Sequence, residues 1–182
     1  MALFRNRRGF TLIELLIVIA IIGIIASILI PNLLDALNKA KQKKTVASMR
    51  ENGSAWMSWL TDQVGAASAG GSTYDGTALD KYDYEDLVVD LIPSDSMFYI
   101  NQVEHQDGWL HDLTFCRNDD IEAFNVFMSC SPGRNSDFGE NPSGNSDCCN
   151  QSWGVGAFIG TDYDQDIVWA DGYMLRYPGS VN

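Results

Sequence analysis

Glu14 is the only charged residue in the 21-residue run from Phe10 to Ile30. An acid at the centre of a membrane helix costs about 2.5–3.5 kcal/mol on the insertion scale, and less near the edge. Such a residue is functional by default, and a cation at its own depth would remove much of the cost. Asp162, Asp164 and Asp166 form a second constellation. Their alternate spacing puts all three on one face of an extended backbone, where they repel unless solvated or bound to a cation. Calcium suits such a cluster, being hard, oxygen-loving and tolerant of geometry. It would not be an EF-hand, because Ile167 stands where that loop needs glycine. Cys116, Cys130, Cys148 and Cys149 form a third set. Zinc is disfavoured by their irregular spacing, which lacks a C-x2-C pair. Disulfides are the default if this part is exported. Of the three possible pairings, a bond between the adjacent Cys148 and Cys149 would be strained, so each is expected to reach Cys116 or Cys130.

The remaining candidates carry no chemistry. His105 and His111 lie near no nucleophile motif and read as surface or strand-edge residues. Gly154, Gly156 and Gly160 have the wrong spacing for a dinucleotide loop, and no amphipathic helix follows. With no G-x-S-x-G, Walker or H-E-x-x-H pattern, an exported enzyme is not expected.

The elements that position these residues follow from charge and apolar patterning. The 182 residues allow one compact domain plus a long appendage. At ~1.5 Å per helical residue, Phe10–Ile30 spans about 30 Å, the thickness of a bilayer core. Arg5, Arg7 and Arg8 precede it without an acid, placing the N-terminus in the cytoplasm and everything after the helix outside. An ordinary secretory signal would have a shorter apolar core without a carboxylate; Leu29-Ile30 continue the run past the small pair Ala26-Ser27. Gly23 and Pro31 each weaken the helix, so a mild kink is expected. From Glu51 onward 22 acids face four bases, a net of −18. A head this acidic would repel phosphate backbones, so no nucleic-acid partner is expected.

Past Pro31 the helix continues, with Val46, Met49, Gly53, Trp56 and Leu60 on one apolar face. Its end is expected between Asn52-Gly53 and about Asp62. Lys39, Lys41, Lys43 and Lys44 precede that stripe, as a solvated or headgroup-facing surface or as partners for acidic heads of adjacent subunits. Residues 63–96 read as a connecting region containing a short helical or extended piece, Tyr82–Ile92, ended by Pro93. Strands are expected at Met97–Val103, Trp109–Cys116, Phe124–Cys130, Val155–Ile159, Ile167–Ala170 and Tyr173–Tyr177. Asp171-Gly172 signals a hairpin turn, and residues 131–152 form a long loop that disulfides would hold. The fold class is α+β: a long N-terminal hydrophobic helix packed on a small antiparallel sheet head spanning residues 97–182.

The run Gly9-Phe10-Thr11-Leu12-Ile13-Glu14 through Gly23 and Ala26, followed by Pro31, closely resembles the class III signal of type IV prepilins and type II secretion pseudopilins. The resemblance implies a pilin-like fold and a leader, residues 1–9, cut off by prepilin peptidase between Gly9 and Phe10. It also implies methylation of the new terminal Phe10, and an assembly role for Phe10 and Glu14, with Gly23 and Pro31 letting the helix adapt. In that family the glutamate faces the N-terminal amine of a neighbouring subunit, so the cut creates the cation that Glu14 lacks. The implied partners are further copies in a helical filament, minor pilins or pseudopilins, an inner-membrane assembly platform and the inner membrane itself.

Ala36–Trp56 resembles the stalk of major-pseudopilin-type proteins, and Asp107-Gly108-Trp109, Phe124–Ser131 with Pro132-Gly133, and Asp166–Trp169 with Asp171-Gly172 resemble their heads. The typical glycine after the tryptophan is Leu110 here, and the cysteines and the 131–152 loop depart from the pattern. Major pseudopilins hold calcium between the last two head loops. Carried over, that implies Asp137 in the first loop and Asp164 and Asp166 in the second. The resemblance thus implies a non-enzymatic filament subunit, foremost a pseudopilin in protein export and alternatively a surface pilin. A tethered calcium-binding or adhesive module that never polymerises is the reading from another class.

Overall fold

The computed structural model describes residues 9–68, 80–93, 98–117, 127–138, 149 and 156–179. The chain forms two compact units, Met1–Leu37 and Asn38–Asn182. Helix α1 runs from Leu12 to Ser68. It therefore runs through Asn52-Gly53 and six residues past Asp62, the far end of the expected range. The reason lies in the second unit: a Cβ on Gly53 would stand 2.4 Å from the Trp169 ring. Glycine lowers helix propensity by about 1 kcal/mol. The intimate contact it allows offsets that cost. Pro31 lies inside the helix without ending it. Near it, the Asn32 side-chain amide donates to the Ile28 carbonyl at 3.1 Å, and the Ser27 hydroxyl donates to that of Ile24 at 2.8 Å. Such side-chain bonds are one way a helix resatisfies carbonyls around a proline.

After α1 come β1 (Asp80–Tyr82), α2 (Tyr84–Leu91), β2 (Thr114–Arg117), β3 (Phe127–Ser131), β4 (Gly156–Ile159), β5 (Ile167–Ala170) and β6 (Tyr173–Gly179). The region expected to be a connector thus also supplies an edge strand, and its expected piece Tyr82–Ile92 is helical over Tyr84–Leu91. The strand expected at Met97–Val103 is absent among its described residues. Ile100 and Val103 are instead buried from irregular backbone. The sheet order is β1-β2-β3-β5-β6-β4. All pairs are antiparallel except β4 with β6, which is parallel, so the sheet is mixed rather than purely antiparallel. At the β5–β6 hairpin both Asp171 (φ 45°) and Gly172 (φ 95°) have positive φ, as a two-residue I′ turn requires.

One face of this sheet packs on the predicted stripe of α1. Met49, Trp56 and Leu60 are buried with Phe115, Phe127, Ile167 and Trp169. Phe127 is the hub: Trp56 stacks on it at 4.7 Å, and Trp169 meets it edge-on at 5.9 Å. The other face is covered as well. Met128, Cys130, Val168 and Ala170 are buried there with Cys149 and, partly buried, Phe138 and Leu175. β3 and β5 are therefore buried along their whole length.

Candidate functional site

The amino-terminal site is built around a helix start. Thr11 precedes the first helical residue, and Glu14 sits three positions on. The Thr11 amide and hydroxyl donate to Glu14 Oε2 at 2.8 and 2.7 Å, and the Glu14 amide donates back to Thr11 Oγ1 at 3.3 Å. This is a capping box, which satisfies amide donors that a helix N-terminus otherwise leaves open. Thr11 escaped the sequence reading, although T-x-x-E before an apolar run is a legible cap signature. In the uncleaved chain Phe10 is an internal residue with an amide and no ammonium. Glu14 makes no ion pair among the described residues and is held by its own chain.

Around this box nothing of the first unit covers the helix. Every large apolar side chain from Phe10 to Leu37 is at least 46% exposed. A helix this long and apolar can cross a membrane. Gly23 meets nothing within 4 Å where a Cβ would be, so its own chain places no demand for glycine there.

The head gathers its functional-looking residues into two loops. Gly133 lies so close to the second loop that a Cβ would stand 2.8 Å from the Gln165 carbonyl, and the Arg134 amide donates to that of Tyr163 at 2.8 Å. Arg134 also donates through Nε and Nη2 to both oxygens of Asp164, at 2.8 and 2.7 Å. That guanidinium holds the Asp164 carboxyl below the usual carboxylate range. Asp166 is buried, and Asp137 is exposed, its amide bonded to Asn135 Oδ1 at 3.2 Å. As placed, these residues do not fit a calcium ion. Asp164 is bidentate on a cation of its own chain, and no group of three or more metal-type side chains forms among the described residues. The juxtaposition of the two loops agrees with the resemblance; the donor set implied for Asp137, Asp164 and Asp166 does not assemble.

Cys116 is bonded to Cys149, closing a span of 33 residues. Cys130 is disulfide-bonded too, and Cys148 lies outside the described residues. His111, expected at a surface, is bound through Nδ1 to the Gly133 carbonyl at 2.8 Å. Beside it Asp107 is fully buried, yet it accepts from the Trp109 and His111 amides at 2.7 and 2.9 Å and from the Ser131 hydroxyl at 2.9 Å. The next residue, Gly108, approaches the Lys41 carbonyl of α1 so closely that a Cβ would sit 2.2 Å away. Asp107-Gly108 is thus a structural clasp between β3, its own loop and α1.

Residues 4–30 match the family described as the prokaryotic N-terminal methylation motif. The likeness to known proteins is confined to this amino-terminal part of the chain. The chain is 57% identical over 47 residues to the type IV wide pilus major component PilA4 of Thermus thermophilus, covering 26% of this chain and 36% of that one. It is 44% identical over 45 residues to the type II secretion system core protein G of Dickeya chrysanthemi, covering 25% and 29%, and 46% identical over 44 residues to that of Escherichia coli, covering 24% and 30%. The chain spans about a third of the length of the curated relatives it matches. No solved structure matches it significantly. The matched segment precedes an α+β head whose described residues form two apolar clusters, one on each face of the sheet.

Proposed function

We propose that this chain is a structural subunit of a type IV pilus-like filament. It is inserted in a bacterial inner membrane with its head outside, cleaved by prepilin peptidase after Gly9 and methylated at Phe10. It is then packed by an assembly platform, with minor subunits, into a helical polymer. The observation that carries this reading is the bare apolar helix with one carboxylate at its start. Eighteen large apolar side chains from Phe10 to Leu37 face outward. A bilayer can cover them first, and copies of the same helix afterwards. Cleavage creates an ammonium on Phe10 that can pair with Glu14 of a neighbour. Among the two uses of such filaments, the resemblance to major pseudopilins favours a short polymer acting in protein export. The disulfide in the head and the likeness to a wide-pilus component favour a surface pilus for adhesion or motility. A deletion assayed for secretion and for twitching separates the two.

Glu14→Ala tests the polymer itself. The variant is expected to insert normally but to be excluded from filaments beside wild-type chains. Its incorporation in proportion to expression would contradict the pairing.

A further inference from the structure

The six-stranded sheet places two oppositely charged surfaces at its two ends. At the β4 edge, α1 and the strand ends enclose a groove of about 500 Å3, with Lys39, Gln42 and Lys43 on one wall and Ile159, Gly160 and Pro178 on the other. Lys39 and Lys43 are exposed, one helical turn apart, and neither makes an ion pair among the described residues. The groove floor is apolar, since Ile159 is 56% exposed there. At the opposite end, directly after edge strand β1, helix α2 begins with Asp83, Tyr84, Glu85 and Asp86, all exposed. This turn offers three carboxylates around one aromatic ring. Five strand spacings of ~4.8 Å separate the two edges, about 24 Å.

We propose that the Lys39–Lys43 groove receives the Asp83–Asp86 turn of a second copy of this chain, an inference that rests on the filament reading above. Charge complementarity selects this occupant. From Glu51 onward the chain carries a net −18, so heads packed side by side repel unless cations intervene. The arginines of the head are not available for that. Arg117 is bound to Asp90, Arg134 to Asp164, and Arg176 to Gln165 while covering the Phe158 ring. Among the described residues, the outward-facing cations of α1 are Lys39, Lys41, Lys43, Lys44 and Arg50, and of these Lys39 and Lys43 line the groove. Within the turn, Tyr84 packs on His105 and donates to the Val103 carbonyl, and the exposed part of its ring is the surface offered to Ile159 and Pro178, with its flanking acids reaching the two ammonium groups.

The symmetry of the contact matters as much as its charge. A knob and a socket on different sides of one subunit cannot satisfy each other within that subunit. They make a head-to-tail, heterologous interface, which propagates into an open helix when its rotation does not close a ring. A self-complementary patch would stop at a dimer. The groove and turn therefore have the arrangement that a helical polymer needs in its outer layer.

A charge swap tests the pairing. Lys39→Glu with Lys43→Glu, and separately Asp83→Lys with Glu85→Lys and Asp86→Lys, are each expected to cut sheared filament yield at least ten-fold. The chain carrying all five changes is expected to recover most of it. Recovery also answers any concern that the partial variants fail to fold. Full yield from either partial set, or no recovery in the combined chain, would overturn the proposal. A benzophenone amino acid placed at Thr161, at the groove, should cross-link in cells to residues 83–86 of another copy. A product with phospholipid alone would assign the groove to a headgroup and overturn the proposal. If the unaltered chain itself gives no filaments, the polymer reading fails first, and the groove loses its partner with it.

Discussion

The two carboxylates Glu14 and Asp107 stand in opposite surroundings and show what distinguishes the two regions of this chain. Asp107 is wholly buried, with three donors from its own head arranged around it. Glu14 is tied to Thr11 by two donors, on a helix whose apolar side chains lie bare. The head buries a core of its own aromatic side chains: Trp56, Phe115 and Phe127 are at most 1% exposed. The segment from Phe10 to Leu37 ties its one acid to Thr11 but leaves its apolar side chains uncovered. Its sequence is written for surroundings that a single chain cannot supply.

The comparison breaks most readily at Asp107. Asp107→Ala removes a charged acceptor and leaves the Trp109 and His111 amides and the Ser131 hydroxyl without it. At about 1.5 kcal/mol or more per charge-assisted bond, the head should lose about 4 kcal/mol. A thermal melt of the full chain in detergent should fall by roughly 10 °C or more. A melt unchanged from wild type would mean that the clasp does not hold the head together. Replacing both Cys116 and Cys149 with serine comes next, since this bond ties Cys149 to the sheet face away from α1. A loop of 33 residues corresponds to about 3.7 kcal/mol. Urea unfolding with and without reductant measures it. Equal midpoints would show that the outer face does not need this bond.

Smaller effects sharpen the picture. Leu110 has φ 70° and is largely exposed, a left-handed conformation that costs a non-glycine residue about 1 kcal/mol or more. Leu110→Gly should therefore raise the melting temperature by a few degrees, the net of that relief and glycine's greater unfolded entropy. Arg134→Ala should cost about 1 kcal/mol or less, because the pair with Asp164 is half exposed. Asp164 is depressed in the folded state, so its contribution is present above the carboxyl's ordinary value and is lost as pH falls through the folded one. The gap between wild type and Arg134→Ala should thus close in acid, and chelator should not shift the wild-type melt. A chelator-induced drop would show that calcium displaces the guanidinium.

Much of this was legible in the residues. The stripe Met49, Trp56 and Leu60, the hairpin at Asp171-Gly172 and the strands around Phe127 and Val168 follow from local period and turn chemistry. The end of α1 was not legible, because Gly53 is tolerated only through Trp169, more than a hundred residues away. The parallel pairing of β4 with β6 is equally non-local, and β1, at three residues, is too short to carry a period. At the amino terminus the lone acid in an apolar run marked Glu14, and the T-x-x-E spacing marks Thr11 as its cap partner. The calcium expectation at Asp137, Asp164 and Asp166 was drawn from the acids alone, while Arg134, which binds Asp164, lies in the facing loop.

The account's central claim is that the bare segment is cut after Gly9 and buried in a polymer. The most direct test is the intact mass and N-terminal sequence of subunits from sheared filaments, with a Gly9→Leu chain as the uncleaved control. The expected subunit begins at methylated Phe10 and lacks residues 1–9, while the control keeps them and stays in the membrane. Filaments whose subunits begin at Met1, or wild-type cells in which a cleaved chain never leaves the membrane, would contradict the claim.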